Sequence, residues 1–403
     1  MPFANGSRLA VYNYLLSDGT RVPIPYDFFD KGRGEFCDLQ TWSDGATYCT
    51  PSYTVPVYRD ANCSQQMIRR INGDSPVSYS RDVFIAATGA HQISKLRSIG
   101  APITDIDQYF ELSGDGSCTG PYANATYYEL GTETVGSDAF VRVRTLPDPT
   151  DDRLAQIKVR GDDGLVVAKG FHDNDLDLDC VITGTSPCLP FYAATAAYWT
   201  DAACTMPAFP QSQGGEQAVY EPGPGCGTYY AITATDAGSA LFDGGAANCT
   251  PAVVDVPSYK AGDKLELATH DRVRLETPTR YQRYQIGDQI DSIVFDTELG
   301  VDCTVGPEGC FPASVGIQVA YSDRGCTTPV SLAIIPDDNC GEPPTYAADQ
   351  TGYYPIGDVY TGGAYIPSTG DTCIALQSPG GQFHTLGAPI AVDAFGGPAT
   401  FVY

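Results

Sequence analysis

Four cysteine columns, each filled three times, constrain this chain more than any other feature of its 403 residues. Segments reading PYDFFDKGRGEFC, KGFHDNDLDLDC and SIVFDTELGVDC end at Cys37, Cys180 and Cys303, each with an aspartate (Asp30, Asp173, Asp296) seven residues earlier. A second cysteine follows at Cys49, Cys188 and Cys310. A third closes YRDANC, WTDAAC and YSDRGC at Cys63, Cys204 and Cys326, with an aromatic residue two before the aspartate and the cysteine three after it. The fourth column, Cys118, Cys249 and Cys373, is followed 13 or 14 residues later by Gly131, Gly262 and Gly387. Such self-similarity marks a repeat architecture, in which one unit is used again rather than several unrelated domains being joined.

The openings of the copies agree with this reading. Ser-Arg-Leu around Arg8 and Asp-Arg-Leu around Arg153 are each followed ten residues on by Asp-Gly (Asp18-Gly19, Asp163-Gly164), which spells a strand, a tight turn and a returning strand. The third copy, starting near Arg280, lacks the Asp-Gly and is slightly shorter. Proline-bearing junctions, LPDPTDD and LETPT, place the copies at 1–147, 148–277 and 278–403. The first copy is longest, and its surplus between Cys63 and Cys118 is expected to hold one short helix around Ile93 to Leu96.

Short runs rich in Val, Ile, Tyr and Phe (RLAQIKVR, GLVVAKGF, SVGIQVAY, FVRVRT), bounded by Gly, Pro, Asp or Asn, predict an all-β fold. Composition points the same way: 43 glycines, 30 prolines and 26 tyrosines sit beside 3 methionines, and the acidic residues are 38 Asp against 11 Glu. About eight strands per copy are expected. A closed six-bladed β-propeller with two blades per copy fits that count; the alternative is three tandem disulfide-stapled β-domains. Short junctions without a Ser/Gly-rich linker favour one compact body.

Fourteen cysteines with no CxxC pair read as disulfides of an extracellular or cell-surface protein rather than as zinc ligands. The columns predict Cys37–Cys49, Cys180–Cys188 and Cys303–Cys310, then Cys63–Cys118, Cys204–Cys249 and Cys326–Cys373. Cys226 and Cys340 stand outside the columns; they pair with each other or rearrange their own copies, as Cys226 with Cys249 or Cys326 with Cys340. Residues 1–10 carry no basic, then apolar, leader, so a signal peptide is expected to lie outside this numbering, and no apolar run is long enough to span a bilayer.

The charge of −26 excludes a nucleic-acid binder that works through a basic surface. The GxSxG, HExxH and Walker patterns are missing, and none of His91, His172, His270 and His384 recurs at one column, although His384 takes the place of Tyr128 and Tyr259. In HDNDLDLD, Asp173, Asp175, Asp177 and Asp179 alternate; on one strand they would share a face and repel, which Ca²⁺ could relieve, while the alternative is a solvated acidic edge. The aromatic column Tyr58, Trp199 and Tyr321, beside Asp60, Asp201 and Asp323, is the repeated candidate for holding sugar rings; its structural counterpart is core filling with the aspartates capping turns.

The unit RL…DG…FxD…C…C…[YW]xDxxC…C…G resembles the cysteine-containing tandem repeats of secreted or lipoprotein-type proteins predicted in myxobacteria, a family without a characterised function. The resemblance implies export, surface display and β structure, and transfers no catalytic residue; the chain departs from it in lacking a lipobox cysteine at its start. The expected function is a non-enzymatic extracellular scaffold binding a ligand or partner, a polysaccharide or another surface protein. Alternatives are a carbohydrate-active hydrolase or lyase using paired carboxylates, and a structural subunit of a surface layer or filament.

Overall fold

A computed structural model of the chain describes residues 3–54, 56–71, 79–85, 91–112, 117–123, 125–195, 198–204, 207–210, 216–221, 226–236, 241–243, 249–252, 258–336, 343–349, 352–367, 373–376 and 381–402. Among these residues the regular structure is all β, relieved only by the 3-10 turns Ser137–Ala139 and Val392–Phe395, and no helix is long and apolar enough to cross a membrane.

Each copy opens with a four-stranded antiparallel meander. The strands are Leu9–Leu15, Arg21–Asp30, Glu35–Thr41 and Thr47–Pro51 in the first copy, and Leu154–Gly161, Val166–Asp173, Leu178–Val181 and Leu189–Pro190 in the second. In the third they are Tyr281–Ile286, Gln289–Asp296, Val301–Gly306 and Gly309–Pro312. Alternation drives the folding: LAQIKVRG turns Ala155, Ile157 and Val159 inward and its polar residues outward. Gly19 (φ 85°) and Gly164 (φ 95°) take the left-handed conformation that the Asp-Gly turns demand. The third copy keeps the turn with the order reversed, as Gly287 (φ 56°) then Asp288.

A buried ion pair locks every meander. Asp30, Asp173 and Asp296, all at most 1% exposed, pair with Arg8 at 2.6 Å, Arg153 at 2.9 Å and Arg280 at 2.6 Å. Each aspartate also caps the turn that follows it, accepting backbone N–H bonds from Gly32 and Arg33, from Asp175 and Leu176, and from Glu298 and Leu299. The arginine reaches further, donating to a carbonyl at the end of its own copy: Ala139, Glu266 and Ala394 respectively. One guanidinium thus ties the start of a copy, its second strand and its end.

The three meanders interlock head to tail. The Asp163 carboxylate, in the turn of the second copy, accepts the backbone N–H groups of Arg8 and Leu9 in the first. Asp18 of the first accepts from Tyr281 of the third, and Asp288 of the third accepts from Lys158 of the second. The apolar cores follow the same cycle. Leu165 joins the cluster around Leu9, Val11 and Phe28; Leu16 and Val22 join that around Tyr281, Val294 and Val305; Ile286 joins that around Phe171, Leu178 and Ile182. The contacts run in one cyclic order, two through backbone N–H groups and the third through the Lys158 side chain, and so close into a ring. Thr400–Val402, the last strand, completes it by pairing with Leu9–Leu15.

The second half of each copy forms sheets largely of its own, an arrangement compatible with the tandem β-domain alternative. The described strands make sheets of eleven, eight, eight, five and seven strands, in place of the six four-stranded blades expected. The reason is the linking strands: Arg142–Pro147 pairs with both Thr47–Pro51 and Leu154–Gly161, which fuses two meanders into one long sheet. The helix expected around Ile93 to Leu96 is instead strand His91–Ile103. A register shift between Ile93 and Lys95 lets Ile93 and Leu96, three apart, both face the core beside Trp42 and Phe140, so a bulge imitates the helical period.

Candidate functional site

The disulfides join the columns that the sequence aligns: Cys37–Cys49, Cys180–Cys188 and Cys303–Cys310 tie the third strand of each meander to the fourth, or, at Cys188, to the residue just before it. Cys63–Cys118, Cys204–Cys249 and Cys326–Cys373 close the longer loops. Cys226 is disulfide-bonded as well, while Cys340 lies outside the described residues.

The repeated aromatic column pairs with other aromatics across strands: Tyr58 opposite Phe110, Trp199 opposite Phe242 and Tyr321 opposite Tyr365. Tyr58 is only 9% exposed. The aspartates beside this column shape a turn. Backbone N–H groups of Cys63, Cys204 and Cys326 donate to the carbonyls of Asp60, Asp201 and Asp323, and all three cysteines take φ 50°. A non-glycine residue in that region costs about 1–3 kcal/mol and persists only where its surroundings hold it there, as the bridge and the capped turn do here. The Asp323 carboxylate accepts the backbone N–H groups of Thr328, Thr327 and Gly325 and the Thr327 hydroxyl. The Thr328 N–H above all, with those of Thr327 and Gly325 and the hydroxyl, lowers this carboxyl to about 2. A folded value below the ordinary 3.8 contributes stability above that ordinary value and loses it as pH falls towards about 2. Asp323→Asn is therefore expected to be less stable than the parent at neutral pH and to converge with it over that acid window, read from thermal melts against pH.

The four alternating aspartates do not share a strand face. Residues 174–177 form the turn between Val166–Asp173 and Leu178–Val181, so Asp173 points inward to Arg153 while Asp177 (φ 50°) stands in solvent. Asp179 is bonded to His172 Nδ1 at 2.8 Å, and Asp175 lies 3.5 Å from Arg153 Nε. Among the described residues no group of three or more His, Cys, Asp or Glu side chains is placed to hold a metal, so the calcium reading gains no support.

Exposed aromatic surface collects elsewhere, on the outer face of the first meander. Because side chains alternate, Phe28 and Cys37 face the core while their neighbours Phe29 and Phe36 face out, directly opposite one another. Tyr12 and Tyr14 extend the row on Leu9–Leu15, and Phe401 continues it on the closing strand, opposite Tyr14. Ring centroids are 5.5 Å apart for Phe29–Phe36, 6.3 Å for Tyr12–Phe29 and 5.2 Å for Tyr12–Phe401. Phe36 and Phe401 remain 45% and 46% exposed. Asp27 and Asp38 lie two residues from Phe29 and Phe36 along the two strands, hence on the same face. Desolvation by the surrounding side chains, then the charge of Asp38, pushes the Asp27 carboxyl up; desolvation raises Asp38 too. Tyr14 is raised by its own desolvation and then by Asp27.

The result is an exposed aromatic strip, four strands wide, bordered by a carboxylate pair. Its rings were not singled out in the sequence because they come from separate strands, one of them at the far end of the chain. The only local signals were Phe-Phe at 28–29 and a phenylalanine just before Cys37.

Fold and site together define a disulfide-stapled all-β protein with a three-fold internal pattern, and the six disulfides among the described residues fit an extracellular setting. The chain belongs to a family of unknown function, DUF7481, whose model matches residues 3–395. No curated protein and no solved structure matches it.

Proposed function

We propose that this protein is an extracellular or cell-surface scaffold that binds polysaccharide, built from three units spanning 1–147, 148–277 and 278–403. The single observation that carries the reading is the row of Phe36, Phe29, Tyr12 and Phe401 on a solvent-facing sheet. Rings spaced by adjacent strands present successive flat apolar surfaces, each about the size of a pyranose face, and Asp27 and Asp38 offer acceptors for hydroxyls at the border. The disulfides and shared cores keep that surface rigid, so binding pays little ordering entropy.

A panel of neutral polysaccharides, screened with and without calcium, tests the proposal. Each lost ring contact is worth about 0.5–1.5 kcal/mol, so Phe36→Ala/Phe401→Ala is expected to weaken binding roughly tenfold or more. Both rings are nearly half exposed, so thermal stability should hold. Undiminished binding by the double variant sinks this assignment of the surface. One observation favours a second reading, glycan hydrolysis: Asp27 and Asp38 stand side by side with both carboxyls raised, Asp27 by desolvation and then by the charge of Asp38, Asp38 by desolvation, which suits one of them to the part of a proton donor. New reducing ends released from a bound polysaccharide, and lost in Asp27→Asn, would establish it.

A further inference from the structure

We infer that a cavity at the junction of the second and third copies is a binding site for a single neutral sugar or similar polyol, separate from the aromatic strip. The cavity has a volume of about 730 Å³, within the range of small-molecule sites. Ile293, Phe295 and Val301 supply an apolar wall, and Thr183, Ser314 and Thr345 add hydroxyls from three different segments.

Its polar centre is a prebuilt network. Arg272 is 91% buried, its side chain being 9% exposed, and donates from Nε to Asp291 at 3.0 Å and from Nη1 to Asp302 at 2.7 Å. Its guanidinium lies 3.4 Å from the centre of the Tyr284 ring, and the Tyr284 hydroxyl donates to the other Asp302 oxygen at 2.6 Å. Burial first, then that bond to Asp302, drives the Tyr284 hydroxyl up to about 12, so it remains a donor at any physiological pH. Asp302 alone of the two carboxylates reaches the open space, at 32% exposed against 3% for Asp291. Held on both oxygens by Arg272 and Tyr284, it is an oriented acceptor with lone pairs to spare. Arg272 Nη2 is buried without a hydrogen-bond partner, a cost that a network serving stability alone has no reason to carry.

Comparison between the copies separates this cluster from the fold. Linking strands Arg142–Pro147, Arg272–Arg274 and Thr400–Val402 pair in the same way with the first strand of a meander. Opposite Ile286, Arg160 and Leu15, each the last residue of a first strand to pair across its hairpin, the linking strands carry Arg272, Arg144, which is 59% exposed and loosely set 3.5 Å from Asp162, and Thr400. The ring closes without the buried network, so the network serves something other than closure.

The chemistry narrows the ligand. One guanidinium faces two carboxylates, so the wall has no surplus positive charge to hold an anion. An oriented carboxylate beside an apolar wall instead suits hydroxyl donors on a ring with an apolar face. Asp302 is the binding residue; Arg272 and Tyr284 position it.

Glucose, galactose and N-acetylglucosamine, titrated into the full chain and followed by ligand-observed NMR, provide the test, with glucuronate as the anionic control. Binding of at least one neutral sugar, in preference to glucuronate, is expected. Asp302→Asn should weaken it more than tenfold, and Ser314→Trp, which fills the cavity without touching the ion pairs, should abolish it. Phe36→Ala/Phe401→Ala should leave it intact, so the cavity and the surface strip fail or stand separately. No binding by any neutral sugar, stronger binding of glucuronate, or indifference to Ser314→Trp overturns the inference.

Discussion

Replacing Arg280 by alanine is expected to cost about 3–5 kcal/mol, the penalty for leaving a buried charge without its partner. The asymmetry of the pair makes the arginine the sensitive end. Asp296 is fully enclosed, whereas Arg280 is 19% exposed and also lies 2.9 Å from the solvent-facing Glu298. Deleting Asp296 would let the guanidinium turn to water, but deleting Arg280 strands a carboxylate in the core. The same change frees the Ala394 carbonyl and so loosens the end of the copy from its start. Urea denaturation should show Arg280→Ala below Asp296→Ala, and Arg280→Ala/Asp296→Ala costing less than the sum of the two single changes. Additive losses would mean that the pair is uncoupled.

Mild reduction of the native protein is expected to open three bridges before the other three. Cys37, Cys49, Cys180, Cys188, Cys303 and Cys310 are at most 2% exposed and sit within the meander cores. In the bridges of the outer sheets at least one cysteine remains partly accessible, as both do in Cys63–Cys118. Attack by a thiolate needs access, so alkylation and peptide mapping should label Cys63, Cys118, Cys204, Cys249, Cys326 and Cys373 first. The loss should be large: bridging cysteines 55 apart contributes about 4 kcal/mol in the chain-entropy model, against about 2.5 kcal/mol for a separation of 7. Simultaneous labelling of all the described bridges would indicate that the meander cores open as readily as the outer loops.

What could be read in advance follows a physical division. The cysteine columns, the Asp-Gly turns and the β character are local or periodic signals, and each is written in a few consecutive residues. The Arg8–Asp30, Arg153–Asp173 and Arg280–Asp296 pairs were in view as landmarks in all three openings, yet their coupling was hidden, because a strand hairpin brings together positions 16 to 22 apart. Ile93 and Leu96 misled for the opposite reason: a bulge inside a strand reproduces a helical spacing. The aspartates of 173–179 looked like a shared face until the turn at 174–177 divided them. Phe401's place in the aromatic strip and the Arg272 cavity depend on which copy lies beside which. No periodicity in the chain encodes that.

The pairing of the closing strand also sets how the molecule would respond to tension. Thr400 lies opposite Leu15 and Val402 opposite Asn13, so the last strand runs back towards the start of the first one. Force applied through the two ends would load these hydrogen bonds one after another, as in a zipper, rather than all together in shear. The closing strand would therefore peel away at a small pull, while the core that Leu16 and Val22 share with Tyr281 and Val294 still holds the first and third copies together and the stretches behind the disulfides could not lengthen. Such a molecule would give slack early and then stiffen, with Phe401 leaving the aromatic strip at the first step.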